Sequence, residues 1–394
     1  MSDIAPGTPS WLREHNDRAA LALLLEHGSL TRNRLGELSG LSKPTAAQMV
    51  ARLERAGLIE AVGEVSGGRG PNAISYGVRA DRLRGVAIDI RDRRIAATVV
   101  DALDRDHPIV EFATADRDRT PEGDVRAAID AACAAAGIQP DTVAIVWVGV
   151  QAAISADGDT LSFTDTLPGW PELGARRRIE DALHLEVALD NDVNLAAIAE
   201  RAVGAGQDVA SFALLWLGDG LGLAVDLGGT LHRGAAGGAG EIGYLPVPRA
   251  AEGLVPGAED LTDLLGGEAV AALLAAHGHR GTELDAALSG LRDDEVALDD
   301  LADRVVLGVI PVLAVLDPEL IVLGGPTGAA GGARLAELVS ERLSGISSRR
   351  LEHSSRWRPA VRESGIAGPP VLGGARRMLV GRIHDRLVAD ISTP

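Results

Sequence analysis

Apolar positions in the first sixty residues recur with a helical period, and beyond residue 84 they gather into short continuous runs. DRAALALLLEHG at 17–28 predicts a helix ended by Gly28, and TRNRLGELSG at 31–40 a shorter one with Leu35 and Leu38 on one side. In LSKPTAAQMVARLERAGLI at 41–59, Ser42 suits an N-cap, Pro44 is tolerated in the first turn, and Ala46, Met49, Val50 and Leu53 share the inward face. That leaves Lys43, Thr45, Gln48 and Arg52 pointing outward. Two strand-like pieces, LIEAVGEV and AISYGV, flank SGGRGPN at 66–72.

Further on, RGVAIDI and RIAATVVD read as a β-hairpin, followed by a helix near 122–137 and the strand TVAIVWVGV. Strands are expected at VALD, FALLWLG, LGLAVDL and LIVLGG, and helices after NDVN, at GGEAVAALLAAHG, around 298–316 and at 330–345. Hairpins mixed with helical crossovers predict an α/β body with mixed sheets in two lobes. The expected division is a winged helix-turn-helix at 12–80, a first lobe at 84–190, and a second at 191–394 whose C-terminal helix packs back on the first.

Charge separates the two regions. Residues 1–84 hold 11 Lys and Arg against 9 Asp and Glu, leaving 27 against 47 for the rest of a chain whose net charge is −18. An acidic body repels a polyanion, so contact with nucleic acid is confined to the N-terminal part. There, two helices joined by the turn SGLS suit entry into a major groove, with Gln48 placed to read adenine and Lys43 and Arg52 to hold phosphates. Gly67, Gly68 and Gly70 allow close backbone approach, and Arg69 suits a narrow minor groove. The partner read from these residues is a double-stranded DNA operator, met by a homodimer on two half-sites. Cys133 stands alone, which rules out a disulfide within the chain and reads as helix packing. With no leader-like segment and no apolar run near twenty residues, the expected setting is cytoplasmic, with no membrane partner.

The order of LPGW (167–170), DNDVNLAAIAE (190–200), GDGLG (218–222), RGAAGGAGEIGY (233–244) and DPELIVLGG (317–325) resembles the ROK family of repressors and sugar kinases over most of residues 85–394. The resemblance implies a two-lobed actin-like, ribonuclease-H-like ATPase fold, dimers or tetramers, and a sugar in the interlobe cleft. It places the catalytic base on Asp192 and sugar-hydroxyl ligands on Asn191 and Glu241. A carboxylate accepts bonds from vicinal hydroxyls, and a glycine-rich turn lets a ring approach the backbone. Capping is the other reading at this point, since Asp190, Asn191 or Asp192 could each cap the following helix. Tyr244 could meet a ligand through its hydroxyl or its ring, or serve the core.

Departures from the family pattern set the remaining expectations. DIRDRR at 89–94 replaces the glycine-rich DxGGT phosphate loop, and GDG at 218–220 replaces GTG, so ATP is not expected to bind. DLGGT at 226–230 lies in the wrong place for that loop and reads as a hairpin turn. The PG turn is replaced by QAA at 151–153, and a further family sugar ligand aligns near Thr262. Tyr244 takes the place of the zinc histidine, and 245–268 contain no Cys or His, so no metal or other cofactor is expected. The preferred reading is a non-enzymatic DNA-binding repressor whose body senses a sugar or polyol. The alternatives are a regulator whose body is a dimerisation or docking scaffold, and a bifunctional sugar kinase. Arg91, Arg93 and Arg94 could hold a sugar phosphate or merely form a solvated turn.

Overall fold

A computed structural model describes residues 8–66, 72–114, 119–163, 167–281, 283–350 and 360–391. Helix α1 (Pro9–His27) starts well before the apolar run, because Thr8 accepts from the Trp11 N–H and Pro9 needs no donor there. Strand β1 (Leu30–Thr31) leads into α2 (Arg32–Ser39), which ends on left-handed Gly40. Helix α3 (Lys43–Arg55) is capped by Ser42, which accepts from the Thr45 N–H.

Ala46, Met49, Val50 and Leu53 are each at most 1% exposed and face a core shared with Ala20, Leu21, Leu24 and Leu35. Leu38, expected beside Leu35, is instead turned to solvent. Strands β2 (Ile59–Val65) and β3 (Ala73–Val78) pair antiparallel, and β1 joins the far edge of β3, giving the order β1-β3-β2 of a winged helix. The turn carrying Gly67, Gly68, Arg69 and Gly70 lies outside the described residues.

Arg52 departs from the expected outward orientation. Its Nε and Nη2 donate to the two carboxylate oxygens of Asp17 at 2.8 and 2.6 Å. Asp17 is a buried acid on α1, and a carboxylate there needs a charged partner. Arg52 therefore clamps the third helix to the first.

In the body come β4 (Arg84–Ile90), β5 (Arg94–Asp101), β6 (Val110–Ala113), α4 (Pro121–Ala136), β7 (Val143–Val150), the short β8 (Ala153–Ile154) and β9 (Leu161–Ser162), α5 (Ala175–Leu183) and β10 (Glu186–Asn191). One five-stranded sheet has the order β10-β7-β4-β5-β6. Next are α6 (Asp192–Val203), β11 (Ser211–Leu217), β12 (Leu221–Leu227), β13 (Thr230–Leu231), α7 (Leu261–Leu265), α8 (Gly267–Ala276), α9 (Leu284–Ala287), α10 (Glu295–Leu316), β14 (Leu320–Gly324), α11 (Gly325–Arg350, kinked at Gly332), β15 (Ala360–Glu363) and α12 (Pro370–Asp390). Their sheet, ordered β13-β12-β11-β14-β15, is mixed: β11 meets β12 antiparallel and β14 parallel. Leu215, Leu223, Leu264, Leu301, Val305 and Leu335 belong to the core beside it.

The chain divides into two compact units, one of residues 1–148, 176–188 and 375–394, the other of 149–175 and 189–374. A single boundary at 190 therefore does not describe it: the chain leaves the first unit after Val148, returns at Arg176, leaves again after Ala188 and returns at Ala375.

Asp17→Ala is expected to destabilise the N-terminal domain by about 2 kcal/mol, less than the roughly 3–5 of a fully buried pair because Arg52 is partly solvated. The double variant Asp17→Ala/Arg52→Ala should recover part of that loss. Urea denaturation of the full chain checks both, and equal stability of wild type and Asp17→Ala would remove the clamp.

Candidate functional site

The glycine-rich segment 233–244 is held by backbone contact. At Gly228 and Gly229, φ is +63° and +79°, so DLGGT forms a tight turn between β12 and β13, with Asp226 paired to Arg201 at 2.5 Å. Past that hairpin the loop lies against β8 and β12. A Cβ on Gly237 would stand 1.8 Å from the Ile154 carbonyl oxygen, and one on Gly240 1.8 Å from that of Leu223. Both glycines also have positive φ. The Leu223 N–H donates to the Gly240 carbonyl at 3.0 Å, and the missing Cβ of Gly243 leaves room for the Thr262 hydroxyl.

This loop delivers Glu241 half-buried, its N–H donating to the Gly238 carbonyl at 3.4 Å and its carboxylate without a hydrogen-bond or ion-pair partner among the described residues, and burial pushes that carboxyl above its ordinary value. Tyr244 is 56% exposed, which excludes the core role left open by the sequence, and its ring stacks on Phe163 with centroids 4.9 Å apart.

At the junction of β10 and α6 the capping residue is Asn191, not Asp192. Its Oδ1 accepts from the Asn194 N–H at 3.0 Å, while its Nδ2 donates to the Ala152 carbonyl at 3.1 Å. Asp192 is buried, and its Oδ1 accepts from the Val193 N–H at 2.9 Å. The neighbouring Asp190 is 5% exposed and meets Arg233 at 2.7 Å. Burial raises its carboxyl above the usual range, against the opposing pull of Arg233 and the Asn191 N–H.

A cleft of about 200 Å³ opens beside this pair, lined by Ser155, Gly158, Asp190, Asn194, Arg233 and Gly237 among others. Asn191, Asp192, Glu241 and Tyr244, the residues singled out from the sequence, are not among its lining. Strand alternation was the available signal for Asp190, which points to the opposite side of β10 from Asn191.

In the first unit, the turn at 89–94 is built on charge pairs. Asp89 is 3% exposed; one carboxylate oxygen takes a bond from the Arg91 Nε at 3.2 Å, and Oδ1 is buried without a partner among the described residues. Burial drives its carboxyl upward despite Arg91. Arg94 pairs with Glu111 at 3.2 Å, and exposed Arg93 lies beside Asp92. Asp219 sits exposed in the turn between β11 and β12, its carbonyl accepting from the Gly267 N–H at the start of α8 at 2.9 Å.

On α3, Lys43 and Gln48 are exposed, and the Thr45 hydroxyl is within 2.8 Å of that of Ser42. Ala51 and Arg55 continue the exposed face at the spacing of Gln48, a continuation the sequence reading did not single out. Among the described residues no cluster of His, Cys, Asp and Glu is arranged to hold a metal ion, and no helix is long and apolar enough to cross a membrane.

Glu241→Gln is expected to stabilise the protein. The folded carboxyl titrates above its ordinary 4.5, so its contribution is favourable below that pH and is lost as pH rises through the folded value. At pH 7.5, where the wild-type carboxylate is charged, the variant should be the more stable of the two. At pH 4.5 the gain should shrink; an equal gain in denaturation at both pH values would contradict this account.

The sequence pattern of the ROK family matches residues 86–366, and that of winged helix-turn-helix DNA-binding domains matches 13–60. The xylose repressor of Caldicellulosiruptor bescii is 22% identical over 362 residues, covering 85% of this chain and 90% of that protein. A ROK family transcriptional regulator described as a homolog of E. coli MLC superposes with a TM-score of 0.68 at 17% identity, over 96% of this chain and 99% of the other. A ROK family glucokinase from Streptomyces griseus, solved with glucose and AMPPNP, gives a TM-score of 0.57 at 27% identity, over 75% of this chain and 98% of its own. The chain belongs to the ROK family and carries a winged helix-turn-helix DNA-binding domain ahead of the family body.

Proposed function

We propose that this protein is a transcriptional repressor whose ROK body responds to a sugar without phosphorylating it. The observation that carries the reading is the joining of one exposed reading face, with Lys43 and Gln48 on α3, to a ROK family body. Matches to proteins named xylose repressor along most of the chain support a sugar as effector. Effector and operator then oppose each other reciprocally, each favouring a different conformational state. Two symmetric half-sites call for a homodimer or a higher assembly.

Against phosphoryl transfer stands the turn at 89–94. Arg91 bonded to Asp89 replaces small residues whose amides could cradle a phosphate, and Asp219 brings negative charge to the second loop. Zinc does not fit either. Tyr244 is stacked on Phe163, and 245–268 supply no thiolate or imidazole. One observation favours a body that serves only as a scaffold: both ends of the Asn191 amide are engaged within the chain.

Duplexes enriched from a random pool by the full-length protein provide the test. Gln48→Ala is expected to lose about 1–3 kcal/mol of discrimination at one position per half-site. Lys43→Ala should weaken binding evenly and lower the salt slope by about 0.9 for each phosphate left without its cation. No enrichment, or unchanged selectivity in Gln48→Ala, would overturn the DNA-reading assignment. ATP-dependent phosphorylation of a hexose, abolished by Asp192→Ala, would overturn the non-enzymatic reading.

A further inference from the structure

Four hydrogen bonds run in series from the reading helix α3 to the end of α12. The Leu58 N–H donates to the Leu53 carbonyl on α3 at 3.0 Å, and the Arg79 N–H donates to the Leu58 carbonyl at 3.0 Å. In the linker between β3 and β4, the Arg82 N–H donates to the Arg79 carbonyl at 3.2 Å. Arg82 Nη2 then donates to Oδ2 of Asp390, the last residue of α12, at 3.1 Å. Both side chains are partly exposed, and ion pairs of this kind contribute little stability, so this bond matters for where it holds the linker. Before Asp390, α12 is secured along its length. Arg376 bonds to Asp104, Arg382 and Arg386 share Glu186, and Leu379 packs so close to Gly85 that a Cβ there would stand 2.7 Å from it.

The other end of α12 is gripped by α6. A Cβ on Gly374 would stand 1.9 Å from the Leu195 carbonyl oxygen, so the two helices meet there backbone to backbone. Just before α12, the Ser364 hydroxyl and the Gly365 N–H donate to Glu200, a fully buried carboxylate of α6 that also takes the Ala205 N–H at 2.7 Å. Helix α12 belongs to the second unit through Gly374 and to the first from Ala375 on. We propose that α12 is a relay: it carries a change of conformation at α6 to the linker and the reading helix, and so sets operator affinity. The inference rests on the DNA-binding reading above. Hydrogen bonds from turn to turn make the helix stiff along its axis. The long arginine arms of its ion pairs hold it against sideways bending while tolerating the small sliding by which packed helices shift. Asp390 then delivers that displacement to Arg82, and the serial bonds pass it to α3.

A double-mutant cycle on operator affinity tests this, with the full-length protein titrated into a duplex that the wild type enriches from a random pool. Residues 374 and 390 lie sixteen positions apart, about 24 Å along a helix, a distance at which unconnected substitutions add. Gly374→Ala, which pushes α12 off Leu195, is expected to change the dissociation constant about fivefold or more in the wild-type background, and less than about twofold in Asp390→Ala. Gly381→Ala, at an α12 glycine with open space around it, should leave the constant unchanged. Ser364→Ala loosens the same grip on α6, and takes the place of Gly374→Ala if unfolding curves show that variant not to fold. Equal effects in both backgrounds, no effect from either lever, or an equal shift in Gly381→Ala would overturn the relay while leaving the DNA reading intact. A wild type that enriches no duplex would overturn both.

Discussion

The carbonyl oxygens of Ile154 and Leu223 each stand 1.8 Å from where a Cβ would project at Gly237 and Gly240. That backbone-to-backbone approach is available only to glycine, and positive φ at both positions reinforces the restriction. Everything placed by the 233–244 loop depends on it. Arg233 reaches Asp190 because the loop lies down on β8 and β12, and Glu241 is half-buried for the same reason. The glycines therefore act by fixing where two side chains emerge, not by making the segment pliable.

A second regularity runs through both units. Asp17, Asp89 and Asp190 are each at most 6% exposed, and each faces an arginine: Arg52, Arg91 and Arg233. Taking a carboxylate out of water is costly enough that the nearest guanidinium is recruited even when sequence pattern points it to solvent. Solvent and internal pairing compete for the same arginines. In the reading helix the internal partner wins outright, whereas at Arg233 a single bond to Asp190 leaves the other donors of the fork unspent.

Local signals made much of this fold legible. Ser42, Gly28 and Gly40 end or begin helices through capping and left-handed backbone, which depend on few neighbours, and apolar runs such as FALLWLG became the central strands. The early start of α1 was hidden because its first turns are polar, and β6 and β15 are four-residue edge strands whose alternation is too short to read. The site was less legible. Motif order led to Asn191 and Asp192, but which face of β10 borders a cleft depends on how a loop forty residues away packs. The pairing of Asp190 with Arg233 and the burial of Asn194 are therefore tertiary facts. Arg52 went astray for the same reason, since Asp17 lies 35 positions earlier in the chain.

Because the 233–244 loop is fixed through its main chain, the identities of the side chains at 190, 194 and 233 are largely uncoupled from its path. Substitutions there alter charge and hydrogen-bonding capacity without asking the loop to refold, while Gly237 and Gly240 tolerate nothing larger. The loop is thus a main-chain mould around which side chains can be exchanged one residue at a time.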